Sequence, residues 1–153
     1  MMTNKELINE FPFLQPCDPW TGKFKDDVDY TILDDMPEGW RRAFGEQMCK
    51  DIKTFLIETG EMEKYRVLQV KEKFGQLRWY GNIYTDALIQ ILSKYETLSK
   101  HTCIKCGAEA TKISMGWISP WCDECGLKYN NPGQLKPIDE FWENWNKNLR
   151  SQI

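Results

Sequence analysis

The stretch that decides the fold of the C-terminal third reads Cys103-Ile-Lys-Cys106 and, after fifteen further residues, Cys122-Asp-Glu-Cys125. Two Cys-x-x-Cys pairs at this separation have the spacing of a zinc site, and four thiolates complete a closed tetrahedral shell around Zn²⁺. Gly107 and Gly126 directly follow the two pairs, where a turning backbone favours a residue that tolerates positive φ. Since four cysteines leave no coordination position for water or substrate, the spacing predicts a structural zinc ion.

Two other uses of paired cysteines fit the sequence less well. A redox motif needs only one such pair and a thioredoxin-like βαβ context, which the pattern lacks. Disulfides need an oxidising compartment, and the N-terminal residues 1–6 are not followed by an apolar signal segment. We therefore expect a cytoplasmic protein whose thiols stay reduced and available to zinc.

Length and composition indicate one globular domain. A chain of 153 residues can bury a core of its own, and seven Trp, seven Phe and six Tyr supply large rings for it. No apolar run approaches the roughly 20 residues of a membrane span. We expect a single domain over residues 1–153, with a zinc-binding subdomain at 103–130 inside it.

The charges are unevenly distributed along the chain. Residues 26–38, here called the acidic loop, hold six carboxylates and no Lys or Arg: Asp26, Asp27, Asp29, Asp34, Asp35 and Glu38. Residues 61–102 hold seven Lys or Arg against five Asp or Glu. Strong non-specific DNA binding needs a broad basic face, which this distribution does not provide.

Apolar periodicity predicts four helices, at about 3–9, 40–59, 85–100 and 138–149. Thr3 and Thr85 are the predicted N-caps, and Gly60 is the predicted C-cap. Residues 15–39 have the Pro and Gly content of a loop but are rich in apolar side chains. We therefore expect this loop to lie against the body through Trp20, Phe24, Tyr30, Ile32 and Leu33.

Residues 65–72 and 77–84 alternate in the manner of strands and are joined by Phe74-Gly75. A two-residue turn there sets the register, with Lys71 opposite Arg78 and Gln69 opposite Tyr80. Side-chain alternation then predicts a core face and a polar face. The predicted core face carries Leu68, Val70, Leu77, Trp79 and Ile83, and the polar face carries Gln69, Lys71, Lys73, Arg78 and Tyr80.

Between the cysteine pairs, residues 110–114 and 117–121 can form a second hairpin around Met115-Gly116, and the second pair opens a short helix. This order is treble-clef-like, and a plain zinc ribbon is the alternative. Trp117 and Trp121 are expected in a small core beside the metal, and Trp142 and Trp145 on the apolar stripe of the last helix. The predicted fold is α+β: a central antiparallel hairpin or small sheet, flanking amphipathic helices and a C-terminal four-cysteine zinc knuckle.

Three segments together resemble a known family. They are residues 33–49, LDDMPEGWRRAFGEQMC; residues 70–80, VKEKFGQLRWY; and the 103–125 block with its GWISPWC sequence at 116–122. They are similar to a family of small uncharacterised proteins found in bacterial and prophage genomes, over about residues 10–130. The resemblance implies a bacterial or phage origin, a zinc-binding C-terminal part and a mobile-element role such as interference with a host system.

Catalysis is disfavoured by the residues themselves. His101 is the only histidine, so two-histidine metal schemes and His-Asn-His nuclease chemistry are excluded. A Cys–His nucleophile pair would have to join His101 to Cys17 or Cys49, neither of which lies in a recognisable motif. His101 is expected to cap a helix end or to hydrogen-bond near the zinc knuckle.

Two non-enzymatic functions remain open. The polar hairpin face could hold an anionic ligand, nucleic acid or nucleotide, because Lys71 and Arg78 repel each other unless an anion lies between them. The same residues also fit an ordinary solvated strand face, with Glu72 or the acidic loop supplying charge partners. The alternative is a protein-interaction module, such as a phage-encoded antagonist of a host defence protein, that uses the acidic loop and exposed rings. Whether the acidic loop covers Lys71 and Arg78 distinguishes them; the oligomeric state is not predicted.

Overall fold

The computed structural model describes residues 2–26 and 28–151. Within these residues, five helices and five strands follow one another, with 3₁₀ turns at Pro12–Leu14, Ile32–Asp35 and Pro132–Gln134. The helices are α1 (Asn4–Glu10), α2 (Glu38–Trp40, a π-helical turn at Arg41–Gly45, then Glu46–Thr59), α3 (Asp86–Ser99), α4 (Asp123–Tyr129) and α5 (Ile138–Ser151). The strands are β1 (Val67–Lys73), β2 (Gln76–Gly81), β3 (Lys112–Ser114), β4 (Ser119–Trp121) and β5 (Leu135–Pro137).

The α+β prediction is confirmed, with two small antiparallel sheets. Strands β1 and β2 form a two-stranded sheet, and a three-stranded sheet has the order β4-β3-β5. Strand β5 was not expected from the sequence. It is only three residues long and ends in Pro137, so it has no alternation that would mark it as a strand.

The helix ends follow the predicted capping residues. Thr3 forms a capping box with Glu6, and the Thr85 hydroxyl accepts a hydrogen bond from the Leu88 amide. Gly60 ends α2 with φ +69°, the left-handed conformation that only glycine adopts without steric cost. Helix α2 begins at Glu38, two residues before its predicted start.

The register of the first hairpin is confirmed. Lys71 lies opposite Arg78 and Gln69 opposite Tyr80, joined by the two-residue turn at Phe74 and Gly75. The core face was predicted wrongly at one position, Leu68, which is 37% exposed. A β-bulge lies between Val67 and Gln69, so the alternation slips there and Val67 is buried instead.

One core joins α1, α2, α3 and the inner face of the first hairpin. Its largest fully buried side chains include Trp40, Tyr65 and Tyr95. The Trp79 indole N–H donates to the Tyr65 hydroxyl over 3.0 Å, so both polar atoms are satisfied inside the core. A Cβ at Gly81 would stand 2.4 Å from the same hydroxyl oxygen, which explains the glycine at the end of β2.

The loop 15–39 lies against this core as predicted, although not through every ring. Ile32 and Leu33 are buried in the core, and Phe24 is half-buried. Trp20 was expected to pack with them, but it is 94% exposed. The expectation was wrong for Trp20 because aromatic content alone does not show which rings a turn directs outward; Trp20 lies in the Asp18 turn.

Candidate metal centre and hairpin surface

Cys103, Cys106, Cys122 and Cys125 come together as the sequence predicts. One sulfur atom from each lies within 4.8 Å of the other three, and the Sγ atoms of Cys106 and Cys122 are 3.6 Å apart. A tetrahedral ion with metal–sulfur bonds of about 2.3 Å places its four sulfurs about 3.8 Å from one another. The four cysteines could therefore hold one metal ion after small movements of their side chains.

Backbone amides favour the thiolate form of Cys103 in this cluster. Burial opposes ionisation of the Cys103 thiol, but amides of Cys122, Cys106 and Lys105 hydrogen-bond to its sulfur and lower its pKa to about 7. Burial and the neighbouring thiols raise the pKa of Cys125 to about 12. Because four thiolates at this spacing repel one another, complete deprotonation requires a cation at their centre.

The first knuckle, residues 103–107, is packed on the beginning of α2. The Gly39 amide donates to the Ile104 carbonyl over 3.0 Å, and the Trp40 indole donates to the Thr102 carbonyl over 3.0 Å. A Cβ at Gly39 would stand 2.2 Å from the carbonyl oxygen of Cys103. Gly107 has the expected positive φ, +86°, and faces Gly39. The close approach of two glycines therefore fixes the knuckle on the helix.

The second knuckle begins α4. Cys122 is the N-cap residue of this helix, and its sulfur accepts a hydrogen bond from the Cys125 amide. Gly126 lies inside the helix, so the prediction that it needs a positive φ is wrong. Its small size serves packing instead, because an added Cβ would stand 3.4 Å from atoms of Leu135 and Trp121.

A second, smaller core supports the metal-binding unit, defined here as residues 103–149. Its buried members are Ala110, Ile113, Ile138 and Trp142. The Trp142 indole donates to the Lys100 carbonyl over 2.9 Å, which ties α5 to the end of α3. Trp121 is half-buried, but Trp117 is 79% exposed, so its expected place in this core is wrong. Trp117 lies in the four-residue turn between β3 and β4, and there its ring is directed outward.

The structure gives the three residues considered for nucleophilic chemistry no reactive environment. His101 is exposed at the end of α3, with Nδ1 3.8 Å from a carboxylate oxygen of Asp139. Cys49 is fully buried, and burial raises its pKa far above the ordinary value. Burial also raises the pKa of Cys17. Both thiols therefore remain protonated at neutral pH and have the character of small core residues.

The five residues predicted for the polar hairpin face lie together on one surface, here called the hairpin surface. Gln69, Lys71 and Lys73 on β1 face Tyr80, Arg78 and Gln76 on β2. Lys71 and Arg78 are half-buried, and the Lys71 ammonium lies 5.9 Å from the centre of the Tyr80 ring. The Arg78 guanidinium donates to the Gln76 side-chain oxygen and to the Leu77 carbonyl, both over 3.3 Å.

Two described carboxylates of the acidic loop, Asp34 and Glu38, form ion pairs away from the hairpin surface. Asp34 contacts Arg41 at 2.6 Å, and Glu38 contacts Arg42 at 3.4 Å and Lys105 at 3.7 Å. Asp27, which belongs to the predicted acidic loop, lies outside the described residues.

The hairpin cations lack such partners. Among the side chains that the structure describes, no ion pair joins Lys71, Lys73 or Arg78 to a carboxylate. Glu96 of α3 interacts with Arg78 through its charge. Burial raises the pKa of the Glu96 carboxyl, and the charges of Arg78 and Lys100 act against that rise. Glu96 therefore offsets part of the positive field without forming an ion pair.

Sequence reasoning missed the rings at the tip of the first hairpin. Phe74 is 50% exposed, and its ring centre lies 5.6 Å from that of Trp145. A cavity of about 210 Å³ lies beside it, lined by Glu72, Lys73, Phe74, Gly116, Trp117 and Ile118. A signal was present in the sequence, because a two-residue turn favours Asn-Gly over Phe-Gly. Phe74 has φ +54°, an uncommon conformation for a bulky residue and one that often marks a functional position.

Comparison of the chain with protein-family models, curated proteins and solved structures finds no match. Within the part of the chain that the structure describes, no helix has both the length and the apolar character needed to cross a membrane. The function is therefore inferred from the geometry of the metal centre and of the hairpin surface.

Proposed function

We propose that the protein is a non-enzymatic binding protein that holds a phosphate-bearing ligand, a nucleotide or nucleic acid, on the hairpin surface. The observation that carries the proposal is the cross-strand pair of Lys71 and Arg78, two half-buried cations without a carboxylate partner in the described structure. Like charges directly opposite each other on a sheet are destabilising. A bound phosphate would relieve this repulsion and accept charge-assisted hydrogen bonds from both side chains.

The neighbouring groups suit such a ligand. Tyr80 offers a ring that is 40% exposed, and Gln69 offers an exposed amide beside it. Asp34 and Glu38 of the acidic loop form ion pairs with arginines and a lysine elsewhere. No described ion pair joins this loop to the hairpin cations. The charge distribution thus leaves a narrow cationic surface on a chain of net charge −3.

We further propose that the metal is Zn²⁺ with a structural role. Four cysteines and no other ligand are typical of closed structural zinc sites. The order of knuckle, hairpin β3–β4 and a second knuckle that opens a helix favours a treble-clef-like unit over a zinc ribbon. The bacterial or phage origin, the family resemblance and a cytoplasmic location belong to the same proposal and rest on the sequence alone.

A protein-interaction module remains the second candidate, for example a phage-encoded antagonist of a host defence protein. The exposure of Trp20 and Trp117 favours it, because large exposed rings are enriched in protein interfaces. The acidic loop contributes less than expected, since two of its described carboxylates are already paired within the chain.

The ligand proposal is tested with Lys71→Glu/Arg78→Glu and a matched control. In the control, Lys5→Glu/Lys50→Glu, two exposed lysines without a described ion pair are replaced and the net charge changes equally. Binding of fluorescent ATP and of labelled oligonucleotides is measured by fluorescence polarisation at low salt. We expect binding to the parent chain and the control, and none to the hairpin variant, whose melting temperature should stay close to that of the parent. Absence of binding to the parent chain refutes the proposal.

The metal proposal is tested by elemental analysis of protein purified without chelator. We expect one zinc per chain, and loss of zinc with local unfolding in Cys122→Ser, because structural zinc contributes on the order of 10 kcal/mol to a small site. Cys17→Ser, which changes a cysteine outside the cluster, should retain the metal. A parent chain without stoichiometric zinc contradicts the assignment.

A further inference from the structure

The cations of the hairpin surface lie between two rings, with Tyr80 at one end and Phe74 at the tip. The Lys71 ammonium lies 5.9 Å from the centre of the Tyr80 ring, and the Lys73 ammonium lies 5.7 Å from the centre of the Phe74 ring. Cations with rings on either side suit a strand of nucleic acid, whose phosphates need cations while its bases need flat apolar faces. A free phosphate would need only the cations.

This pattern continues past the tip onto the metal-binding unit. The ring of Phe74 contacts Trp145, and the cavity beside the tip also has Trp117 in its wall. A Cβ at Gly75 would stand 3.3 Å from atoms of Ile118, which shows how closely the turn lies on the β3–β4 hairpin. Three exposed rings therefore lie on the first hairpin, at its tip and on the neighbouring β3–β4 turn, namely Tyr80, Phe74 and Trp117. We call this set with Lys71, Lys73 and Arg78 the cation–ring strip.

The strip is longer than one nucleotide requires. Four residue steps separate the row of Gln69 and Tyr80 from the row of Lys73 and Gln76, which is about 13 Å at 3.3 Å per residue. Trp117 extends the strip beyond that row. The phosphates of one duplex strand are about 3.4 Å apart when measured along the helix axis, and somewhat farther apart along the backbone itself. More than one phosphate and more than one base can therefore lie on the strip.

Its chemistry favours single strands over duplex. A ring can stack only on a base that is not already covered by its neighbours, so exposed aromatic side chains are used on unpaired nucleotides. A duplex would also bring its phosphates against a molecule of net charge −3 that lacks a broad basic face.

We propose that the cation–ring strip binds single-stranded nucleic acid, with phosphates on Lys71, Lys73 and Arg78 and bases stacked on Tyr80, Phe74 and Trp117. This inference rests on the proposed function, because it specifies the ligand of the same surface. It adds a role for the metal-binding unit, which supplies Trp117. DNA and RNA share the chemistry used here and are compared in the test.

The test measures binding of a labelled twelve-nucleotide single strand, as DNA and as RNA, against the same sequence as duplex and against ATP. We expect the single strand to bind at least about tenfold more tightly than duplex or ATP. Removing one stacking ring, in Trp117→Ala or Tyr80→Ala, should weaken binding about 5- to 150-fold. Trp117→Phe, which retains a ring, is the matched control and should bind nearly as the parent does. With three phosphate contacts, the logarithm of the binding constant should fall with the logarithm of salt with a slope of about −2.

The outcomes separate the two proposals. Equal binding of ATP, duplex and single strand, unchanged in Trp117→Ala but lost in Lys71→Glu/Arg78→Glu, overturns this inference and leaves the proposed function standing. No binding of any of these probes overturns both. Trp117 is 79% exposed, so unchanged zinc content and melting temperature in Trp117→Ala would show that the loss of binding reflects the missing ring.

Discussion

A single substitution at the hairpin surface should raise stability while it removes binding. Lys71→Glu replaces a cation opposite Arg78 by an anion, so a repulsive cross-strand pair becomes an attractive one. Attractive pairs contribute about 0.2–1 kcal/mol and like-charge pairs cost a similar amount, so the exchange should increase the free energy of unfolding by about 0.5–2 kcal/mol. For a chain of this length, the melting temperature should rise by about 1–8 °C. Both positions are half-buried, which limits screening by salt.

The assay combines calorimetry with binding of the labelled single strand, each at low and at moderate salt. Lys73→Glu is the matched control, since residue 73 lies opposite the neutral Gln76 and gains no such partner. It should weaken binding without raising the melting temperature. A melting temperature that falls in Lys71→Glu would refute the repulsion argument, and binding that persists in it would refute the assignment of the ligand to this surface.

Two further predictions concern the acidic loop and the seat of the first knuckle. Asp34→Asn should lower the free energy of unfolding by about 1–2 kcal/mol, because it removes the carboxylate that Arg41 contacts. Burial alone would raise the pKa of Asp34, but its hydrogen bonds and the charge of Arg41 outweigh burial and lower the pKa. The stabilisation by Asp34 is therefore present above about pH 4 and is lost as the pH falls through the folded-state pKa. Thermal melts of the parent chain and the variant across this pH range should show the loss. Burial and the neighbouring charge raise the pKa of Asp35, so Asp35→Asn should leave stability unchanged or increase it, and equal losses in both variants would contradict the pairing. Gly39→Ala places a Cβ 2.2 Å from a backbone oxygen of the first knuckle and should lower the free energy of unfolding by at least about 3 kcal/mol. Elemental analysis of this variant should show a reduced zinc content. Gly133→Ala is the control: its Cβ meets nothing within 4 Å, so its stability should change little.

Local rules account for much of the fold. The register of the first hairpin follows from a two-residue turn, and the helix ends follow from capping residues, because each of these features is decided within a few residues of chain. The bulge at Leu68 and the strand β5 escaped prediction for the opposite reason. The bulge depends on how Val67 and Gly81 fit the core, and β5 forms only because β3 offers it an unpaired edge.

The candidate sites divide in the same way. The spacing of the four cysteines predicts their cluster, because each of the two Cys-x-x-Cys motifs directs two sulfurs to one point. The sequence does not predict the partners of the acidic loop, because the pairing of Asp34 with Arg41 depends on where the loop crosses the start of α2. The exposure of Trp117 likewise depends on the geometry of a four-residue turn, whereas the strained Phe74 was visible in the sequence as an unusual turn residue.

Packing contacts connect the candidate metal centre to the body that carries the hairpin surface. The first knuckle is fixed on α2 by the approach of Gly39 to Gly107, and α5 is tied to α3 through Trp142. Between these two attachments the β3–β4 turn lies against Gly75 of the first hairpin, and the segment that carries this turn runs from one pair of the four clustered cysteines to the other. A structural ion placed there would hold Trp117 beside Phe74 without touching a ligand. On the proposals made above, an ion at the four cysteines would help to fix the distance between the two halves of the cation–ring strip.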